Sequence, residues 1–466
     1  MRDSTLELVS RWCDGRLNAC AERMDPNRLA CGFATDSRSI TVGDIFVAIP
    51  GERVDGHDFA TQAIESGAVA ALVERDMPDL PCIVVDDVVL ALGSIAAAYR
   101  RDMLSAKVVA ITGSSGKTTT KDLVAQVLPG NVVAAQGSFN TEVGVPLTIL
   151  DADEGTDFLV LEMGMRGLGH IRYLCTIAQP DIAVVVNVGS AHVGMLGGAE
   201  DVARAKGEIV EQLAADAVAV LNADDPQVAA MADRTAARVL TFGESPTSDV
   251  RARAVRLDSL GRASFELVAP DEPAEAVTLQ LHGEHFVSAA LAAAAIGHVV
   301  GMSCGAIAER LCQAQPRSRW RMEVRTTARG VTVVNDAYNA NPESVRAALK
   351  TLRSMQGGGR TWAVLGEMRE LGDASLDEHD AIGRLAVRLD ISRLVCVGDA
   401  TKVMHLAASN EGSWGDESMW VPDTESAIAV LDEQLEPGDV VLLKASRAVG
   451  LEVIASHLLG DHEVSA

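Results

Sequence analysis

The segment Ala110-Ile111-Thr112-Gly113-Ser114-Ser115-Gly116-Lys117-Thr118-Thr119-Thr120 carries the sharpest chemical signal in the sequence. An apolar run enters a glycine-containing turn, and a helix-forming stretch leaves it. Glycines let the backbone wrap a phosphate, and the free N–H groups at a helix start then face the anion. In such a loop Lys117 reaches the β/γ-phosphates of ATP and the Thr118 hydroxyl holds Mg²⁺. Gly113, Ser114, Ser115, Gly116, Lys117, Thr118 and Thr119 are therefore the expected ATP-binding loop. The motif is short, since the first glycine of the general GxxxxGK[ST] pattern would fall on Ile111.

Two more residue types belong to the same chemistry. Glu162 follows the apolar run Phe158 to Leu161, and His192 follows the run Ile182 to Val188. With Val108 to Thr112 and Ala217 to Leu221, these runs read as buried strands alternating with helices, which predicts a mostly parallel sheet. Loops at the C-terminal ends of parallel strands converge on the ligand crevice. Thr118, Glu162 and His192 are thus expected around the same phosphates. Mg²⁺ prefers oxygen donors, so Glu162 suits it better than an imidazole does.

Three blocks frame these motifs. The first, residues 1–106, has short apolar runs at Asp44 to Ile49, Ala68 to Val73 and Cys82 to Val85, with a helical stretch at Phe59 to Ser66. It reads as a small N-terminal α/β domain. The second, residues 107–318, is the central parallel-sheet P-loop ATPase domain. It includes a polar stretch from Glu244 to Ala276 that suggests an antiparallel excursion, and an Ala-rich stretch from Phe286 to Ala308. That last stretch holds His298 and three glycines, so two packed helices suit it better than a membrane span. The third, residues 319–466, repeats the rhythm at Val331 to Asn335, Trp362 to Leu365, Leu394 to Val397 and Val440 to Leu443. It reads as a Rossmann-like α/β domain, with a helix expected at Pro342 to Leu352.

Composition narrows the classes. The 466 residues hold 40 Lys plus Arg against 65 Asp plus Glu, a formal charge of −25. The apolar fraction of 48% supplies cores for several domains, which excludes a disordered chain. So acidic a chain has no general attraction for nucleic acid or anionic membranes, and any polyanionic ligand must be held by local devices. The eight cysteines form no CxxC pair and the N-terminus has no signal-peptide pattern, so reduced thiols in a cytoplasmic protein are expected.

The loop Thr112 to Thr118 resembles the nucleotide loop of the Mur ligase family, which uses ATP to join an amino acid or dipeptide to a UDP-muramoyl substrate. Further segments resemble the family in order along nearly the whole chain: Thr35 to Arg38, Gly51 to Phe59, Ser138 to Pro146, Leu161 to Gly164, Asn187 to His192, Ala205 to Glu208, Asp336 to Pro342, Leu365 to Met368 and Lys444 to Arg447. The segment Asp336-Ala337-Tyr338-Asn339-Ala340-Asn341-Pro342 resembles the branch that adds D-alanyl-D-alanine to UDP-N-acetylmuramoyl-tripeptide.

The resemblance implies amide formation through an acyl phosphate, in peptidoglycan precursor synthesis, by a monomer with ATP and two Mg²⁺ ions. It implies catalytic roles for Lys117, Lys206 and His192. Thr118, Glu162, His192 and Lys206 would hold metal, Lys206 after carbamylation by CO₂. Arg321, Asp336 and Asn339 would join the loop in binding ATP. Ser37, Arg38, Asn140 and Thr141 would bind the UDP-muropeptide. Asn341, Lys444, Ser446 and Arg447 would face the dipeptide from the closing domain. The chain departs from the family where His-Asn-x-x-Asn is usual, reading His285-Phe286-Val287-Ser288-Ala289, and has Ala445 where glycine is common. A sister ligase with another acceptor and a non-catalytic nucleotide-binding scaffold are the alternatives.

Overall fold

The structure is a computed structural model that describes residues 4–24, 28–51, 53–135, 137–189, 198–355, 358–412 and 417–461. Among them, three main sheets follow one another along the chain. In the first, Gly32–Ala34, Asp44–Val47, Ala70–Val73 and Cys82–Val84 run parallel, and Arg16–Leu17 pairs antiparallel at the edge. The helix Val88–Met103 follows, its start capped by the Asp87 carboxylate, which accepts from the N–H groups of Val89 and Leu90.

The central sheet is built on Lys107–Thr112, which lies between Phe158–Glu162 and Ile182–Val185, all parallel. Val132–Ala134 extends one side; Val218–Asn222 and Arg238–Gly243 extend the other. The expected antiparallel excursion is present as Val250–Leu257, Arg262–Val268 and Glu275–His282, and reaches six residues past Ala276. The third sheet orders Glu323–Thr326, Thr332–Asn335, Val440–Lys444, Thr361–Leu365, Arg393–Val397 and Ser418–Val421, parallel except at the first pair.

Burial follows strand alternation. Val109 and Ile111 point into one apolar cluster, while Val108 and Ala110 point into another. The second cluster joins the central sheet to Leu92 and Ile95 of the first block. The first joins it to the Ala-rich helix Phe286–Val299 and to Leu349 and Leu442 of the third block. Alanine is the best helix former and its small side chain lets neighbours approach closely, so this helix is buried nearly all round. A second helix, Cys304–Gln313, follows, and no described helix is long and apolar enough to cross a membrane. All eight cysteines are free.

Candidate active site

The phosphate-type loop is a strand, Lys107–Thr112, a turn, and a helix, Lys117–Val127. Gly116 sits at φ +77°, a left-handed conformation that favours glycine and turns the chain into the helix. The N–H of Thr120 is the first to find a partner inside the helix, the carbonyl of Gly116 at 2.9 Å. The N–H groups of the turn before it therefore have no intrahelical acceptor, which is the form an anion site takes. The Lys117 Nζ donates to the carbonyl of Gly113 at 2.7 Å, folded over the same turn.

Asn187, just beyond the strand Ile182–Val185, braces the loop. Its Oδ1 accepts from the N–H groups of Ser114 and Ser115, each at 2.9 Å, and its Nδ2 donates to the carbonyl and hydroxyl of Ser115 at 3.1 Å. Glu162 ends the strand on the other side and is buried. One carboxylate oxygen accepts the Thr118 hydroxyl at 2.8 Å, and the other accepts from Asn140 Nδ2 at 2.7 Å. Thr118, Glu162 and Asn140 thus meet at the C-terminal edge of the parallel strands, as the strand order requires.

Lys206 lies on the helix Ala199–Glu211 and is 1% exposed. Loss of water, reinforced by the nearby Lys117 ammonium, holds its pKa well below the ordinary lysine value. Its helix is fixed from two sides. The buried Glu208 accepts from the N–H groups of Gly169 at 2.6 Å and Arg172 at 3.1 Å. Arg234 donates to the carbonyls of Ala203 and Arg204, and a Cβ on Gly207 would lie 2.0 Å from its guanidinium, so only glycine admits that contact.

The third block reaches the site through the connecting segment, which is fastened to the Lys117 helix by Gln126–Gln315 hydrogen bonds at 3.0 Å and by the Ser318 hydroxyl on Asp122 at 2.6 Å. Arg321 at its end donates to the Ser138 hydroxyl at 3.0 Å and lies 4.1 Å over the Tyr338 ring. Ser138 is 3.4 Å from the Thr118 hydroxyl. Desolvation lowers the Lys117 pKa; Glu162 and Glu370 oppose this and Arg321 adds to it. These charges therefore face one another across the junction of the second and third blocks.

Asp336 follows the strand Thr332–Asn335. Its carboxylate accepts from the N–H of Met322 at 3.1 Å and from Lys444 Nζ at 2.6 Å. Lys444 also donates to the carbonyl of Asn339 at 2.9 Å and is buried. Asn339 accepts from the N–H of Ala340. Asn341 is the N-cap of Pro342–Ser354, in a capping box with Ser344. The Ser446 hydroxyl accepts from the N–H of Arg369 at 2.9 Å, and Arg447 lies 4.2 Å over the Trp320 ring while pairing with Glu452. In the divergent segment, His285 and Phe286 stack at 4.2 Å, with Asp336 and Lys444 in electrostatic range of His285.

The first block holds Ser37 and Arg38 apart from this cluster. Ser37 is buried and donates to Gln62 at 3.2 Å; Arg38 is exposed and paired with Asp36 at 2.7 Å. The hydroxyl of Thr141 accepts long bonds from the N–H groups of Val143 and Gly144, both at 3.4 Å. His192 lies outside the described residues. The sequence reading gave no role to Asn187, Ser138, Tyr338 or Lys121. Lys121 is buried, four residues past Lys117, with its ammonium on the carbonyls of Ala135 and Gly137 and on Asp122. Asn187 and Ser138 sit inside segments already singled out; a buried lysine one helical turn on leaves no such trace.

The donor set suits a hard divalent cation. Thr118 and Glu162 offer a hydroxyl and a carboxylate at contact distance, both oxygen. Among the described residues no group of three or more His, Cys, Asp or Glu side chains gathers to hold a metal. Mg²⁺ takes few protein ligands and completes its shell with phosphates and water.

Three family models match the chain: "Mur ligase family, catalytic domain" over residues 32–100, "Mur ligase middle domain" over 111–297, and "Mur ligase, glutamate ligase domain" over 320–447. The chain is 44% identical to the UDP-N-acetylmuramoyl-tripeptide–D-alanyl-D-alanine ligase of Mycobacterium leprae, over 99% of both chains. It is 34% identical to that of Bacillus subtilis, over 92% of this chain and 93% of the relative. Among solved structures it superposes on MurF from Acinetobacter baumannii with a TM-score of 0.87 and 31% identity, covering 99% of each. MurF ligase from Thermotoga maritima, solved in complex with ADP, gives 0.80 at 31% identity, covering 92% of this chain and 97% of that one.

Proposed function

The chain belongs to the Mur ligase family, and from that premise we propose its reaction: ATP-dependent joining of D-alanyl-D-alanine to UDP-N-acetylmuramoyl-tripeptide. It is an ADP- and phosphate-forming ligase of peptidoglycan synthesis that binds ATP. The observation that carries the reading is the meeting of the braced loop, Lys117, the Thr118–Glu162 pair and buried Lys206 at one strand edge, faced by Arg321 of the connecting segment.

The residues divide the work as follows. The Gly113 to Thr119 turn, through the N–H groups at the start of its helix rather than those of Ser114 and Ser115 held by Asn187, cradles the phosphates with the Lys117 ammonium. The terminal carboxylate of the tripeptide attacks the γ-phosphorus, a new C–O–P link forms, and ADP leaves. Both partners are anionic, so cationic groups at this point lower the barrier by offsetting their repulsion. Lys117 and Arg321 supply that charge. The amine of D-alanyl-D-alanine then attacks the acyl carbon, the C–O bond to phosphate breaks, and the amine's proton is released with the amide formed. Asp336 and Asn339 are assigned to the nucleotide, Ser37, Arg38, Asn140 and Thr141 to the UDP-muropeptide, and Asn341, Lys444, Ser446 and Arg447 to the dipeptide side.

Thr118, Glu162 and His192 are the residues we assign to Mg²⁺. When bound, the ion neutralises charge on the transferring phosphoryl group. Lys206 as an ammonium is no metal ligand. Its burial favours the neutral amine, the form that adds CO₂ to give a carbamate with two oxygens, and we assign it that modification and a second ion. The domain division 1–106, 107–318 and 319–466 is kept, for UDP recognition, ATP chemistry and closure. Free thiols suit a reducing, cytoplasmic setting.

The test is phosphate release by the purified chain. It is expected only when ATP, UDP-N-acetylmuramoyl-tripeptide and D-alanyl-D-alanine are all present. Turnover with another amino acid and none with the dipeptide would overturn the reading.

A further inference from the structure

The phosphate chemistry leaves a buried charge unused: Lys121, 2% exposed. It stands on the helix Lys117–Val127, one turn past Lys117. Its ammonium meets three acceptors, the carbonyl of Ala135 at 2.5 Å, the carbonyl of Gly137 at 3.1 Å and Asp122 Oδ1 at 3.0 Å. An ammonium has three N–H donors, so each is matched. Ala135 and Gly137 lie just past the edge strand Val132–Ala134, in the stretch that leads to Ser138 and Asn140.

The Asp122 carboxylate binds on its other side as well. Its Oδ2 accepts the Ser318 hydroxyl at 2.6 Å. Three residues on, Arg321 donates to the Ser138 hydroxyl at 3.0 Å, and Ser138 follows Gly137. The contacts close a ring that runs from Lys121 through Gly137, Ser138, Arg321, Ser318 and Asp122 back to Lys121. Trp320 at φ +59° and Met322 at φ +49° hold left-handed backbone on either side of Arg321. That conformation costs a non-glycine residue energy, and here it bends the chain between the pinned Ser318 and the third block.

The ring passes through both halves of the site. On one side, Ser138 is 3.4 Å from the Thr118 hydroxyl and Asn140 donates to Glu162 at 2.7 Å. On the other, Arg321 brings positive charge toward Lys117 from the connecting segment. Without the Lys121 ammonium, the carbonyl of buried Ala135 and one oxygen of Asp122 would each lose a partner. Polar groups left so are costly, and the segment would shift to reach water.

We propose that Lys121 and Asp122 act as one positioning pair, setting the Ser138–Asn140 segment and the connecting segment against the phosphate helix so that Asn140 and Arg321 meet their targets in a single arrangement. Neither is assigned a contact with substrate. Lys121 orders the stretch that carries Asn140, and Asp122 orders the stretch that carries Arg321. The ion pair between them makes the two stretches depend on each other. The inference rests on the ligase reading, which gives Asn140 and Arg321 their ligands.

Lys121→Met keeps the apolar stem and removes the charge. In phosphate-release kinetics the KM for UDP-N-acetylmuramoyl-tripeptide and the half-saturating Mg²⁺ concentration should each rise roughly tenfold, as when a partner behind a ligand-facing group is lost. ADP affinity, read by calorimetry, should hold, because Asn187 braces the Ser114–Ser115 turn independently. Ser318→Ala, a milder change at a half-buried hydroxyl, should raise the same KM and carries the test if Lys121→Met does not fold. In the double variant the rise should fall short of the product of the two, since opening a ring once already releases most of its constraint. A lowered unfolding midpoint with unchanged kinetic constants, an unchanged KM in Ser318→Ala, or a full product in the double variant overturns the pair. ADP affinity lost in step with the KM means general damage and overturns it too. Calorimetric titration with the UDP-tripeptide alone reads the pair without turnover. Weaker binding in the variant, with no phosphate release by the unmodified chain, would overturn the ligase reading and leave the pair standing.

Discussion

The Lys444 ammonium lies 2.6 Å from the Asp336 carboxylate, and this pair, with Lys444 buried and Asp336 half-buried, ties the strand Val440–Lys444 to the loop that follows Thr332–Asn335. A buried pair is weak evidence of net stabilisation, because desolvating both charges offsets their attraction, yet removing one partner leaves the other uncompensated. Lys444→Met should therefore lower stability by about 3 kcal/mol, and adding Asp336→Asn should recover part of it. Urea unfolding of the two variants measures this; a double variant weaker than the single would contradict it.

Lys117→Ala should leave the fold intact, because among the described residues the ammonium's hydrogen bond is to the Gly113 carbonyl at a partly exposed turn. Activity should fall by about 10²- to 10³-fold, the usual cost of a preorganised charge at the reacting phosphate. Steady-state kinetics beside a circular dichroism spectrum separates the two effects.

Glu162→Gln keeps the size of the side chain and an acceptor for Thr118, but removes its charge. The half-saturating Mg²⁺ concentration for ATP turnover should rise by roughly 10- to 100-fold. A titration of activity against Mg²⁺ in which the variant and the unmodified chain coincide would remove Glu162 from the metal site.

Lys206 gives a pH signature. Its folded pKa is depressed, so between that value and the ordinary lysine value the unfolded chain holds a proton the folded chain lacks. Stability of CO₂-free protein should therefore rise with pH through that window, and the cost of the buried ammonium should be complete below it. Lys206→Met should flatten this slope and raise stability near neutral pH, while abolishing turnover. Thermal unfolding across an alkaline pH series reads the slope.

Asn187→Ala should weaken ATP binding without touching a ligand-facing group. The N–H groups of Ser114 and Ser115 would lose their acceptor, and the loop would have to order when nucleotide arrives. A loss of about tenfold in ATP affinity, measured by calorimetry with a more unfavourable entropy, is expected.

Much of this architecture was legible because it rests on local pattern. Continuous Val/Ile runs marked the buried strands, and the glycine turn before Lys117 marked the loop. The misses have physical reasons. Val132–Ala134 and Ser418–Val421 are short strands at sheet edges, half buried, where an apolar run is not required. Arg238–Gly243 mixes a charged first residue and a threonine into an otherwise apolar strand. Within the site, residue type and strand order bring Thr118 and Glu162 together. Sequence could not tell that Lys444 turns inward to Asp336, that Asn341 serves a helix start, or that Asn187 crosses from the next strand to hold the loop. Those are long-range contacts, decided by packing.

The three family models split the chain into three pieces, but its apolar interior does not. One cluster carries the face of the central sheet beneath Phe286–Val299 on to Leu349 and Leu442, and another carries the opposite face into Leu92 and Ile95. Cutting the chain near residue 106 or 318 would strip oil from both sides of each cut. Fragments cut there would carry apolar surface that the neighbouring block covers in the whole chain, so each is expected to associate with others of its kind.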